Sequence, residues 1–120
     1  MRAAIGAALL LAAAPVQAAE GDRLFDVHCA SCHDVRADAP PGPGPNLAGL
    51  AGRVVAGDPR FDYSPALREG RAEGRAWDAS ALRNFLRDPD AAFPGTWMSE
   101  TGLRGEDDIT ALAAFLLRRP

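Results

Sequence analysis

Two cysteines three positions apart, with a histidine directly after the second, constrain this chain more than any other feature: Cys29-Ala30-Ser31-Cys32-His33. They are its only cysteines. On one helical turn this spacing brings both thiols to one edge of whatever they hold, with the imidazole beneath it. Several chemistries use such a pair. A structural zinc needs four ligands, and the only other histidine, His28, stands one residue before the motif and is badly placed. A thioredoxin-like dithiol sits in a βαβ setting, and no strand-period pattern is present. A disulfide across two intervening residues leaves the adjacent His33 without a role. Covalent haem accounts for all three residues: each thiol adds to one porphyrin vinyl group and His33 binds the iron. One haem c is the cofactor the motif predicts.

The first residues have the form of an export leader. Arg2 is followed by an apolar run from Ala3 to Ala14, and Val16-Gln17-Ala18 is a small-residue cleavage pattern. The run stops at Pro15, short of the roughly 20 apolar residues that cross a bilayer. Residues 1–18 are expected to be removed and residues 19–120 to form one domain in a bacterial periplasm, with no stable membrane insertion after cleavage. Free thiols do not persist in such an oxidising compartment, and thioether bonds to haem remove that difficulty.

All 13 basic residues are Arg, against 16 acidic residues, for a formal charge of −3. A mildly acidic chain without basic clusters is not a nucleic-acid binder, because phosphates demand concentrated positive charge. An anionic membrane surface is an equally poor partner.

Helical signals are separated by long breaker-rich stretches. Asp22 is a candidate cap for a short first helix carrying Leu24, Phe25 and His28. Pro40, Pro41, Pro43 and Pro45, then Gly49, Gly52 and Gly57, exclude regular structure to about Phe61. Ser64 to about Gly70 is a weaker helix candidate, with Pro65 suited to its first turn. Asp78 caps a helix with the stripe Leu82, Phe85 and Leu86, ended by Pro89. Glu106, Asp107 and Asp108 open the last helix and Arg118 and Arg119 close it, both favourable for its dipole. Its stripe is Ile109, Leu112, Ala113 and Leu116, with Phe115 beside it. The fold class predicted is all-α, with three to four short helices wrapped around the haem and long Gly/Pro-rich loops. So small an apolar core needs the porphyrin at its centre.

The second axial position decides whether such a protein carries electrons or binds small molecules. His28 is too close in sequence to reach the opposite face of the ring. Met98 stands in Phe93-Pro94-Gly95-Thr96-Trp97-Met98, a turn able to present a thioether, although a lone methionine is ordinarily core filler.

From Gly21 to Leu116 the chain resembles the class I c-type cytochromes of the mitochondrial and purple-bacterial carrier type. The matching pieces stand in order. Gly21 and Phe25 precede the cysteine motif. Then come Gly44-Pro45-Asn46-Leu47, Gly52-Arg53, Phe61-Asp62-Tyr63-Ser64 and Trp77 before its helix. Pro94-Gly95-Thr96-Trp97-Met98 and Ala111-Leu112-Ala113-Ala114-Phe115-Leu116 complete the set. The resemblance implies the cytochrome c fold, Met98 as the sixth ligand and the Pro45 carbonyl as acceptor for the His33 ring. It also implies Arg53, Tyr63 and Trp77 as propionate partners, and a close crossing of the first and last helices at Gly21, against Leu112 and Phe115.

Two departures concern polarity near the iron: Phe85 stands where the family usually has tyrosine, and Leu67 where it usually has asparagine. A third concerns the surface, which lacks the family's lysines. An apolar edge at Phe93 and Trp97, rimmed by Asp90 and Glu100, is expected there, with docking that depends weakly on salt. The implied function is one-electron transfer between redox partner proteins by a soluble monomeric carrier, not an enzyme. The rival readings are a subunit fixed to a periplasmic dehydrogenase or oxidase, and an open-site peroxidase or gas-binding protein.

Overall fold

The computed structural model describes residues 3, 4, 6, 7 and 14–120, with side chains in the first helix from Ala19. Most of the expected leader lies outside these described residues. Five helices follow in order: α1 Ala14–His28, α2 Pro65–Ala72, α3 Ala79–Arg87, α4 Pro89–Ala92 and α5 Glu106–Arg118. Among the described residues, strand pairing is limited to one antiparallel bridge between Val54 and Ala76. The fold is all-α, with one helix more than the three or four expected.

Local chemistry explains most boundaries. Ser64 Oγ accepts from the Leu67 N–H, and Pro65 occupies the first turn of α2, where its missing N–H costs nothing. Asp78 Oδ1 accepts from Ala81 N at 2.8 Å and caps α3. The additional helix, α4, follows at once. Asp88 ends α3 in an extended conformation and caps α4 through the Ala91 N–H at 3.1 Å. Pro89 therefore terminates one helix and begins another. The first helix corrects the sequence reading in a different way. It begins at Ala14, so Asp22 is an interior residue and not a cap, because the preceding Ala-rich stretch is itself helix-forming.

The core forms where α1, α3 and α5 meet. Ile109, Leu112, Ala113, Phe115 and Leu116 are all buried on α5. The crossing of α1 and α5 depends on Gly21. A Cβ there would lie 2.5 Å from Phe115 Cβ and 2.7 Å from the Ala111 carbonyl oxygen. The close partners are thus Phe115, as expected, and the Ala111 backbone in place of Leu112. A second cluster stacks edge-to-face: the Trp77 and Phe85 rings are 5.3 Å apart, and Phe93 lies 5.9 Å from each. Phe93 also lies under the Arg75 guanidinium, 4.0 Å from its carbon. The expected exposure of Phe93 is therefore wrong. It is a core residue, 4% exposed, because α4 turns its last residue inward.

Between α1 and α2 the chain is held by side chains and turns. Buried Asn46 donates to the Arg36 and Ala39 carbonyls and accepts from Ala48 N at 2.7 Å. One amide thus organises the whole proline-rich loop. Further on, Gly52 N donates to Trp77 O at 2.8 Å and Trp77 N to Arg53 O at 2.9 Å. This short pairing sets Arg53 and Trp77 side by side.

Candidate haem site

The motif emerges directly from α1. Cys29 N donates to Phe25 O, and His33 N to Cys29 O at 2.9 Å, so the helical path continues through the cysteines. They border a cavity of about 470 Å³ whose walls are mostly apolar, with Leu47, Leu50, Leu67, Leu82, Phe85 and Leu116 among them. All eight residues singled out from the sequence line this one cavity: Cys29, Cys32, His33, Pro45, Arg53, Tyr63, Trp77 and Met98.

The histidine is fixed from two sides. His33 Nδ1 donates to the Pro45 carbonyl at 2.8 Å, which orients the ring as ligand-supporting bonds do. Burial lowers the His33 pKa, partly opposed by that bond, so the neutral ring keeps an Nε2 lone pair to offer a metal. On the other side Gly44 packs against the imidazole. A Cβ at residue 44 would lie 2.5 Å from His33 Cε1 and 2.7 Å from Nδ1. Gly44→Ala is accordingly expected to turn the ring off the Pro45 carbonyl and to destabilise the haem protein by about 2 kcal/mol, as overpacking does. Thermal melts of the two proteins, read at the haem absorption band, check this. An unchanged melting temperature would mean that the ring is free to move.

The Cys29 thiol does not have the character of a reactive one. Burial, with a smaller contribution from Cys32, pushes Cys29 up to about 11, whereas reactive and metal-binding thiols are depressed. Among the described residues no three His, Cys, Asp or Glu side chains converge to hold a metal ion. Cys29 and Cys32 are not joined to each other in a disulfide.

Of the three buried side-chain polar atoms without a protein partner among the described residues, two belong to residues that line this cavity, Arg53 and Thr96, and the third, Arg119 Nε, lies outside it. Arg53 donates to the Ala48 and Asn46 carbonyls at 3.2 and 3.0 Å, yet its Nε is buried without a partner. The Thr96 hydroxyl is also buried and unpartnered. Tyr63 accepts from Asp58 N at 3.1 Å, which leaves its own O–H proton to donate. An apolar cavity with orphaned donors fits a porphyrin with acidic propionates. Thr96 was not singled out from the sequence for this role, since one hydroxyl in a turn carries no periodic or motif signal of its own. Met98 is half-buried against the core, two residues after Thr96. His33 and Met98 are both positioned for haem ligation.

The family model for cytochrome c matches residues 18–119. The chain belongs to the cytochrome c family. Cytochrome c2 of Agrobacterium tumefaciens (strain II Chrys) is 34% identical, over 82% of this chain and 88% of its own. Cytochrome c2 of Rhodomicrobium vannielii is 35% identical over 95% and 90%. Cytochrome c-550 of Bradyrhizobium diazoefficiens is 34% identical over 82% and 70%. Like its family, this cytochrome carries one covalent haem c and acts as a one-electron carrier between redox partners, not as an enzyme.

Proposed function

We propose that this cytochrome is a freely diffusing, monomeric periplasmic carrier with its haem closed on both faces by His33 and Met98. The observation that carries the proposal is the gathering of all eight expected residues around one apolar cavity. The haem, when bound, supplies an iron that exchanges one electron, and the protein's part is to hold and insulate it. Cys29 and Cys32 anchor the ring. Pro45 fixes the His33 imidazole through its carbonyl. Arg53, Tyr63 and Trp77 face the propionates, and Thr96 adds its hydroxyl to that set. His/Met ligation and an apolar surround both favour the reduced form.

Export is part of this reading. Residues 1–18 are the leader and residues 19–120 the domain, in keeping with a family match that begins at residue 18. No described helix is long and apolar enough to cross a membrane. Removal after Ala18 leaves α1 running from Ala19 to His28, with Asp22 near its new start.

Absorption spectra of the purified protein in both redox states, with and without carbon monoxide, test the site. The expected result is a six-coordinate haem in each state, a weak far-red thioether band in the ferric form, and little binding of carbon monoxide. Rapid, complete binding would establish an open site instead. The fixed-subunit reading draws on Trp97, which is 62% exposed. Co-purification with a larger enzyme would support it over free diffusion.

A further inference from the structure

Among the described residues, the two large apolar side chains most exposed to solvent, Val27 and Trp97, lie in segments that line the haem cavity. Trp97 lines it and is 62% exposed; Val27, 64% exposed, immediately precedes His28 and Cys29, which also line it. The two segments meet, because a Cβ at Gly102 would lie 3.2 Å from His28 Nδ1. The loop carrying Trp97 is also acidic. From Asp88 to Leu103 there are three carboxylates, Asp88, Asp90 and Glu100, all exposed, and no basic residue. None of the three takes part in an ion pair within the described structure, in contrast to Asp34, Asp58 and Glu106, which pair with Arg36, Arg60 and Arg87. Asp90 is held in place all the same, since its Oδ1 accepts from Gly95 N at 3.0 Å.

With Phe93 in the core, the cavity mouth is less apolar than the sequence suggested, while Glu100 lines it and Asp90 is tied to Gly95, two residues before Trp97. We propose that it is a docking surface for a redox partner whose own face sets basic side chains around an apolar recess that receives Trp97. This rests on the carrier reading and names the partner's chemistry. Charge complementarity selects that occupant, because a second copy of this chain or an anionic membrane would meet repulsion from the same carboxylates. Docking is therefore salt-dependent, contrary to the weak dependence expected when Phe93 was placed at the edge.

Small reagents of defined charge and shape serve as probes on the full haem protein. Tris(phenanthroline)cobalt(III), an aromatic cation, oxidises the ferrous form; one electron passes from iron to cobalt, leaving ferric iron and cobalt(II). Hexacyanoferrate(III), an anion, does the same and becomes hexacyanoferrate(II). Hexaammineruthenium(II), a cation without rings, gives one electron to the ferric form and becomes ruthenium(III). Between ionic strengths of about 0.01 and 1 M the cobalt rate is expected to fall roughly tenfold, and the hexacyanoferrate rate to rise.

Asp90→Asn with Glu100→Gln, which keeps an acceptor for Gly95, should lower the low-salt cobalt rate severalfold. Glu69→Gln with Glu73→Gln on α2 and its end changes net charge equally and should have less than half that effect. Trp97→Ala should slow the cobalt reaction about threefold more than the ruthenium reaction, through lost aromatic contact. Trp97→Phe should restore most of the cobalt rate. Potentials measured for each variant correct the rates for driving force. Equal effects of the two carboxylate pairs, or equal slowing of both cations by Trp97→Ala, would overturn the proposal alone. Self-association in sedimentation that Trp97→Ala abolishes would also overturn it, in favour of a second copy as occupant. Failure of the iron to exchange electrons with any of the three reagents would remove the carrier reading, and the proposal with it.

Discussion

A Cys29→Ala, Cys32→Ala chain made without haem is expected to be largely unfolded. Its haem cavity is about 470 Å³. Core cavities cost about 24 cal/mol per Å³, so a sealed void of that size would cost about 11 kcal/mol, similar to the entire 5–15 kcal/mol by which domains are stable. This cavity opens to solvent, which lowers that cost but leaves its apolar walls wet. The surrounding walls cannot simply close. They come from six separate stretches, among them the α3 and α5 stripes that already pack on one another, and collapse would sacrifice those contacts. Haem is thus a structural part of the core as well as its redox centre. Far-UV circular dichroism of the haem-free chain should show most helical signal lost and no cooperative thermal transition. A sharp transition with the helix content of the haem protein would mean that the core closes without the porphyrin.

The second large effect is expected at Met98. Met98→Ala removes the only methionine that lines the cavity among the described residues without touching the anchors at Cys29, Cys32 and His33. The covalent haem should remain, the ferric far-red band should vanish, and the reduced protein should bind carbon monoxide rapidly. Its potential should fall by on the order of 0.2 V, a modest part of the roughly 0.8 V that axial ligation spans. Global stability should change less than on haem removal, since Met98 is only half-buried and its loop is also held by Asp90 and by Thr101, whose hydroxyl donates to Leu86 O at 3.0 Å. A Met98→Ala protein that keeps its band and potential would mean that another group is the ligand. His28 lines the same cavity and would be the first to examine, by a His28→Ala substitution in that background.

The sequence was most legible where one residue had one local effect. Ser64 and Asp78 mark helix beginnings through backbone donors that need partners, and the acidic start of α5 does so through the helix dipole; those helices lie where they were expected. Pro89 was only half-legible. Its conflict with a continuing α3 is visible in sequence, but its capacity to begin α4 depends on Asp88 adopting an extended conformation and capping anew. The misplacement of Phe93 follows from that omission, because without α4 nothing turns its ring inward. Asp22 failed as a cap for the opposite reason: the stretch before it is also helical, so a good capping residue lies in an interior turn.

The site was legible in two layers. The cysteine motif carried its own chemistry. Arg53, Tyr63, Trp77 and Met98 are brought together by irregular backbone, including the pairing of residues 52–55 with residues 75–77, which has no hydrophobic period to read. Only the ordered resemblance to a family pointed to them. Asn46 shows the limit most plainly. It reads as a polar turn residue, and its burial follows from three hydrogen bonds that exist only once the loop has closed.

The crossing at Gly21 has a consequence for timing. The helix that delivers the cysteines meets its closest partner more than eighty positions later, at Ala111 and Phe115. Closing a loop of that span is slow, so this contact forms late in folding. Until then Cys29 and Cys32 stay open to the haem they bind. Late docking of the last helix thus keeps open the interval in which the chain can acquire its own centre.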